Sequence, residues 1–106
     1  MMEKKFVKFV VFVPMTHADA VREALGKAGA GKMGNYEYCS FSVKGVGRFR
    51  PMEGAEPAVG EVGRLEEVEE ERIETICGRE DLERVKAAVL AAHPYEEPAI
   101  DVFELI

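Results

Sequence analysis

Seven consecutive residues near the C-terminus combine side chains that often perform proton or metal chemistry. Residues 93–99 read His-Pro-Tyr-Glu-Glu-Pro-Ala, so an imidazole, a phenol and two carboxylates are held between two prolines. Imidazole together with carboxylate suits zinc or another divalent transition metal. The segment therefore predicts a divalent metal or small-ligand site, and no other cofactor is indicated. The predicted metal ligands are His93, Glu96 and Glu97, with Cys39 or His17 as a further candidate.

The same segment has a structural explanation, which stays open beside the functional one. A protonated His93 at the end of a helix would favour the negative end of the helix dipole. Tyr95 would then pack against the domain, and the two prolines would fix the turn into the last strand. The residues alone do not decide between these two explanations.

A second candidate region is the glycine-rich stretch at residues 31–63. Gly45 and Gly47 flank a single residue, but neither Lys-Ser/Thr nor the start of a helix follows them, so they form a poor phosphate-binding motif. We interpret them as glycines of tight turns with positive φ. Cys39 is expected on the apolar face of a strand, where a thiol usually belongs to the core rather than acting as a nucleophile. We expect the same of Cys77, and we assign no catalytic residue.

Composition excludes several classes of function. The chain has 106 residues, enough for one domain spanning residues 1–106, and its net charge of −6 opposes binding to nucleic-acid phosphates. No apolar run approaches the length of about 18 residues that predicts a membrane span. The two cysteines form neither a disulfide framework nor a Cys-x-x-Cys metal pair. We therefore expect a cytoplasmic protein that binds neither nucleic acid nor membrane.

The pattern of apolar residues predicts two halves, each running from strand to helix to strand. Residues 6–13 predict a buried central strand, and Thr16 is expected to cap a helix that ends at Gly29 and Gly31. Alternation predicts a strand at residues 36–43, followed by a loop of roughly 20 residues, which is long for a compact domain. Residues 65–77 fit both periods, and periodicity favours a helix there. A second helix opens at Asp81 and Leu82 and stops before Pro94, and residues 100–106 predict the last strand.

An acidic run marks the ambiguous segment. It consists of Glu66, Glu67, Glu69, Glu70 and Glu71. We interpret these carboxylates as a solvated strand edge or as one side of a set of ion pairs between subunits.

Several motifs in fixed order resemble one known family. The sequences at residues 28–36, 39–41, 45–51, 57–60, 71–74 and 93–99 are similar to the insert domain of the Nif-three-like (YqfO-type) proteins, in its small free-standing form. The resemblance implies an α+β, ferredoxin-like β-α-β-β-α-β sandwich of the PII and CutA type, with a long loop between the second and third strands. It also implies that residues 65–77 form a strand, and that the chain assembles as a homotrimer.

In the larger relatives this domain interrupts a separate metal-binding domain that holds two metal ions. These 106 residues do not include the flanking segments, so we do not expect the dinuclear centre or a hydrolase activity to carry over to them. One departure is Ile100, where relatives tend to have an aromatic residue.

These observations predict a non-catalytic regulatory or sensor module that binds a small ligand or divalent metal near residues 93–99. Two alternatives stay open: a small metal-dependent hydrolase in which one glutamate acts as general base on a metal-bound water, and a structural partner of a separately encoded Nif-three-like metal protein. The residues assigned to ligand or interface contacts are Asn35, Tyr36, Cys39, Gly45, Gly47 and Tyr95.

Overall fold

The structure is a computed structural model, and it describes residues 5–106. Its described elements follow the predicted order of strand, helix, strand, strand, helix, strand. They are β1 (Phe6–Pro14), α1 (Ala18–Lys27), β2 (Phe41–Phe49), β3 (Glu66–Gly78), α2 (Leu82–Ala92) and β4 (Ile100–Glu104). The predicted α+β fold class is confirmed.

The four strands form one antiparallel sheet in the order β2-β3-β1-β4. Alternate residues of β1, from Val7 to Val13, point towards the helices and belong to the buried core together with Val21 of α1 and Val85 of α2. Successive side chains of a strand point to opposite faces, so the other half of β1 faces away from both helices. We call that side the open face of the sheet.

Strand β3 corrects the helix that periodicity favours for residues 65–77, and it confirms the strand implied by the family resemblance. It pairs with β1 from Glu70 to Gly78 and with β2 from Glu66 to Glu74, so its central residues have partners on both sides. Ile73 and Cys77 are buried against the helices, whereas Leu65 and Arg72 of the helical pattern are exposed. Pairing on both edges therefore overrides a local pattern that fits a helix equally well.

Strand β2 lies later in the chain than predicted. Residues 36–40 precede it, and it continues through Gly45 and Gly47 to Phe49. Neither glycine has a positive φ, so our interpretation of them as turn glycines is wrong. The reason is the length of β3, which offers partners for β2 as far as Glu66 and holds even glycine-containing backbone in the ladder.

The helix ends agree only partly with the sequence prediction. Thr16 does not cap α1, because a 3-10 turn at Met15–His17 precedes the helix and the Thr16 hydroxyl lies 2.8 Å from His17 Nδ1. Gly29 follows α1 with a φ of +98°, as a helix-terminating glycine should. Helix α2 ends before Pro94, as predicted.

The connection between β2 and β3, residues 50–65, is held by hydrogen bonds within the loop. The Gly63 amide donates to the Pro51 carbonyl at 2.8 Å, and Arg50 Nε donates to the Gly63 carbonyl at 3.1 Å. Pro51 is buried. The 50–65 loop therefore has a defined shape with which to cover part of the open face. Within residues 5–106, no helix has the length and apolarity needed to cross a bilayer.

Candidate functional site

A cavity of about 440 Å³ lies on the open face, between the 50–65 loop and residues 93–99. Its volume is within the usual range for small-molecule sites. Most of its lining is apolar, and most of its polar groups are carboxylates or the Tyr95 phenol. The lining residues include Phe12, Phe49, Pro51, Pro57, Val59, Glu70, Tyr95, Glu96 and Glu97.

The polar centre of this cavity is the pair formed by Glu70 and Tyr95. The Tyr95 hydroxyl donates to Glu70 Oε2 at 3.0 Å, and Glu70 is only 8% exposed. Gly47 lines the cavity beside them, and a Cβ at this position would overlap the Glu70 carboxylate. The glycine therefore leaves the space that the carboxylate occupies, which gives Gly47 a defined role in the site.

Tyr95 is held from several directions. Its ring meets that of Phe49 edge-on, with centroids 5.7 Å apart, and lies 5.1 Å from the imidazole of His93. Burial, followed by the hydrogen bond to Glu70 and the charge of that carboxylate, raises the pKa of the Tyr95 phenol. The hydroxyl therefore stays protonated and acts as a donor at neutral pH.

His93 supports the site from behind and does not line the cavity. Its Nε2 lies 2.7 Å from the Phe12 carbonyl, and its Nδ1 accepts the backbone N–H of Tyr95 at 3.1 Å. This arrangement requires the neutral ring with the proton on Nε2. Burial lowers the pKa of His93, against the opposing effects of the Phe12 hydrogen bond and the Glu70 charge. The imidazole thus fixes the start of the segment that carries Tyr95.

Glu96 connects residues 93–99 to the loop above them. Its Oε2 accepts the backbone N–H of Glu56 at 2.7 Å, so one carboxylate joins two segments that are far apart in the sequence. Glu97 also lines the cavity. The two glutamates predicted as metal ligands therefore stand at the wall of the cavity, while the predicted third ligand, His93, has both ring nitrogens engaged by backbone groups.

No group of three or more His, Cys, Asp or Glu side chains suited to a metal ion occurs within residues 5–106. A metal bound by His93 would have to displace the Phe12 carbonyl or the Tyr95 amide. The metal site with His93, Glu96 and Glu97 stays a prediction from the sequence.

The other predicted site residues lie away from the cavity. Asn35 and Tyr36 form an exposed tight turn, in which the backbone groups of Met33 and Tyr36 bond to each other at 2.9 Å. Cys39 is half-buried outside β2, and its carbonyl accepts the Thr75 hydroxyl at 2.7 Å. Gly45 is in β2 with open space around it. The structure therefore brings together Gly47, Tyr95, Glu96 and Glu97, and leaves the other predicted ligand or interface residues apart.

The acidic run is only partly solvated, which corrects our interpretation of it. Glu70 and Glu71 are both buried, on opposite faces of β3. Glu71 accepts Arg22 Nη1 of α1 at 2.5 Å, and Arg22 also bonds Asp19 at 2.6 Å. The hydrogen bonds that Arg22 donates to these two acids, together with the charges of the acids, raise the pKa of Arg22 despite its partial burial. One buried glutamate thus joins a helix to the sheet, and the other enters the cavity.

The main functional residue that sequence reasoning missed is Glu70. Once residues 65–77 are read as a strand, period 2 places Glu70 on the same face as Arg72 and Glu74 and opposite Ile73. The strand assignment therefore places Glu70 on the opposite face from Glu69 and Glu71, whereas the acidic run considered as one unit does not distinguish them. The strand assignment was therefore the signal that could have found it.

No family model matches the chain. Individual proteins match it closely. It is 57% identical to a GTP cyclohydrolase 1 type 2 homolog of Halalkalibacterium halodurans over 98 residues, and these aligned residues are 92% of this chain and 26% of that protein. The namesake from Bacillus subtilis is 47% identical over 96 residues, which is 91% of this chain and again 26% of the relative. The chain thus spans about a quarter of the length of the curated relatives it matches.

Solved structures show the same relationship. A Bacillus cereus protein related to NIF3 superposes with a TM-score of 0.87 at 50% identity, covering 99% of this chain and 27% of that protein. The periplasmic divalent cation tolerance protein CutA from Archaeoglobus fulgidus gives a TM-score of 0.68 at 17% identity, covering 94% of this chain and 83% of that one. The second likeness shows the fold alone, and together the two confirm the Nif-three-like resemblance and the CutA-like fold.

Proposed function

Because the chain is homologous to one segment of the NIF3-family proteins named GTP cyclohydrolase 1 type 2 homolog, we propose that it acts as a ligand-binding module of a regulatory or sensor type. Its binding site is the cavity between the 50–65 loop and residues 93–99. The observation that carries this proposal is Glu70, a buried carboxylate at an apolar cavity, with its oxygen held by Tyr95.

The geometry favours binding over catalysis. Glu70 and Tyr95 are hydrogen-bonded to each other, and neither is paired with a nucleophile. The imidazole that could act as a base has its two nitrogens engaged by backbone groups and does not reach the cavity. A few fixed polar groups in an apolar enclosure are what orient a bound small molecule.

Ligand screening by NMR tests this proposal on the full chain. In a fragment library read by ¹H–¹⁵N spectra, bound compounds should shift the amides of Gly47, Tyr95 and the 50–65 loop together. The variant Val59→Trp places a bulky ring at the cavity wall and should abolish those shifts. As a matched control, Val62→Trp alters an exposed valine of the same loop that does not line the cavity, and it should leave binding intact. If no compound shifts the cavity amides, or if all bind elsewhere, the proposal is refuted.

We further propose that copies of the chain assemble, as a trimer, through the open face. Large apolar side chains stand exposed on this face: Phe41 is 64%, Val43 50% and Phe103 51% accessible. The strand pairing places all three on the side away from the helices. Such a face is typical of an interaction surface. Native mass spectrometry should find a trimer that Phe41→Lys dissociates, whereas a wild-type monomer at micromolar concentration would refute this assembly.

A further inference from the structure

Glu70 is a buried acid that has no cationic partner among residues 5–106. The ion pairs formed within residues 5–106 include Glu66, Glu67, Glu71 and Glu74 of the same strand, but none includes Glu70. Its hydrogen bond comes from a neutral phenol. A carboxylate that is more than nine-tenths buried normally has a positive partner, because removing the charge from water is costly.

Most of the other charged side chains that line the cavity are also carboxylates. Glu96 and Glu97 stand at its wall, and the one basic residue that lines it within the described part of the chain is Arg48. Arg48 Nε is 3.3 Å from Glu67 Oε1, so its charge is balanced by a partner outside the cavity. Carboxylates therefore outnumber basic groups in the lining of the cavity, and this excess favours a positive ligand.

The apolar lining indicates which kind of body should carry the positive group of the ligand. The rings of Phe12, Phe49 and Tyr95 line the cavity together with the carboxylate, and the 50–65 loop contributes prolines and small residues to the same lining. A flat apolar body fits between aromatic edges and proline rings, and a cationic group attached to it would reach Glu70.

Resting on the binding role proposed above, we propose that this cavity takes a small organic cation: a protonated amine on an aromatic or otherwise apolar body, with the Glu70 carboxylate as its counter-ion. Tyr95 is a positioning residue, because its hydroxyl holds one carboxylate oxygen and aims the other at the ligand. The same charges disfavour a nucleoside triphosphate, so this segment does not supply a triphosphate site, whatever the remaining three-quarters of the named relatives do.

Three probes of matched shape test the charge preference: phenethylamine, the neutral 2-phenylethanol and the anionic phenylacetate. Each is titrated against the full chain at pH 7.5, with GTP as a fourth ligand, and the cavity amides are followed by NMR. We expect phenethylamine to bind about tenfold more tightly than the alcohol, because charge-assisted hydrogen bonds are about twice as strong as neutral ones. Phenylacetate and GTP should bind more weakly still.

Variants assign that preference to one side chain. Glu70→Gln keeps the shape and an acceptor for Tyr95, and it should bring the amine-to-alcohol ratio close to one. Glu83→Gln removes an equal charge from the exposed face of α2 and should leave the ratio unchanged. Tyr95→Phe retains the carboxylate, so the preference for the amine should survive it even if Glu70→Gln fails to fold.

The outcomes separate the two proposals. If the alcohol or phenylacetate binds as well as the amine, the inference about charge is overturned while the binding role stands. If Glu83→Gln lowers the ratio as much as Glu70→Gln does, the preference arises from overall charge and the role of Glu70 is refuted. If none of the four compounds moves the cavity amides, the inference fails, and the library screen alone then decides the binding role.

Discussion

Two glycines of β2 offer a sharp test of how the site is built. Gly45 and Gly47 lie two residues apart in the same strand and point to the same face, yet an added methyl group meets different surroundings at each. At Gly45 it enters open space, and at Gly47 it overlaps the Glu70 carboxylate. Comparing Gly45→Ala with Gly47→Ala therefore separates the effect of the clash with Glu70 from the general effect of replacing a glycine in a strand.

The magnitudes follow from these surroundings. Replacing a strand glycine by alanine stabilises by roughly 0.5–1 kcal/mol, which is our expectation for Gly45→Ala. At Gly47 the same gain is offset, because the displaced carboxylate loses its bond from Tyr95, and hydrogen bonds to charged groups are worth about 1.5–3 kcal/mol. Gly47→Ala should therefore cost about 1–2 kcal/mol net, which lowers the melting temperature by roughly 5–15 °C in a domain of this size.

The assay is urea unfolding at one fixed protein concentration, since assembly would make stability depend on concentration. A double-mutant cycle supplies the control: once Glu70→Ala has removed the obstacle, Gly47→Ala should stabilise as Gly45→Ala does. The reasoning is refuted if Gly45→Ala and Gly47→Ala shift the urea midpoint equally in the wild-type background. It is also refuted if Gly47→Ala destabilises the Glu70→Ala variant as much as it destabilises the wild type, because the space at Gly47 is then not reserved for the carboxylate.

Three further substitutions test the groups around the site. The pKa of His93 is lowered from its ordinary 6.5, so the unfolded chain binds the proton more readily than the folded chain does. The stability that the neutral ring contributes is therefore complete above about pH 6.5 and falls as the pH drops. His93→Gln should reduce this loss of unfolding free energy between pH 7 and 5. Arg22→Met leaves the buried Glu71 without its cation and should cost about 1–3 kcal/mol, whereas Arg48→Met breaks an exposed pair and should change unfolding free energy by about 0.5 kcal/mol or less. Tyr95→Phe removes the donor to the cavity carboxylate and should cost about 1.5–3 kcal/mol in the same assay.

Each of these has its own contrary result. His17→Gln serves as the control for His93→Gln, and equal flattening by both would remove His93 as the cause of the pH dependence. Equal losses for the two arginine variants would mean that burial of Glu71 does not matter. A Tyr95→Phe protein as stable as the wild type would show that the hydroxyl contributes no net stability through its bond.

Much of the fold could be predicted from local pattern. A short run of β-branched and aromatic residues that ends at Pro14 gives β1, and an apolar stripe with the period of a helix from Leu82 to Ala92 gives α2. Residues 65–77 fit two periods, and the strand there follows from pairing with β1 and β2, which no local pattern contains. The late start of β2 has the same origin, since β3 decides how far β2 continues.

The site could be predicted in part. Residues 93–99 could be identified as a candidate site because several titratable side chains rarely occur together in a simple connecting loop. The cavity does include Tyr95, Glu96 and Glu97. The imidazole was the more conspicuous group in the sequence, but its partners are the carbonyl of Phe12 and the amide of Tyr95. Backbone partners leave no trace in the sequence, so the supporting position of His93 could not be read from it.

The sequence by itself determined the order of strands and helices in most of the chain, the acidic net charge, the long connection and the presence of one segment rich in titratable groups. Only the tertiary structure decided which of these groups share a site. Glu70 and Tyr95 are 25 positions apart, and they meet because antiparallel pairing fixes the face of each β3 residue while α2 returns residues 93–99 to the same end of the sheet. Spacing along a chain reports local periods, whereas a binding site depends on register between strands, and register is set by burial of the whole sheet against its helices.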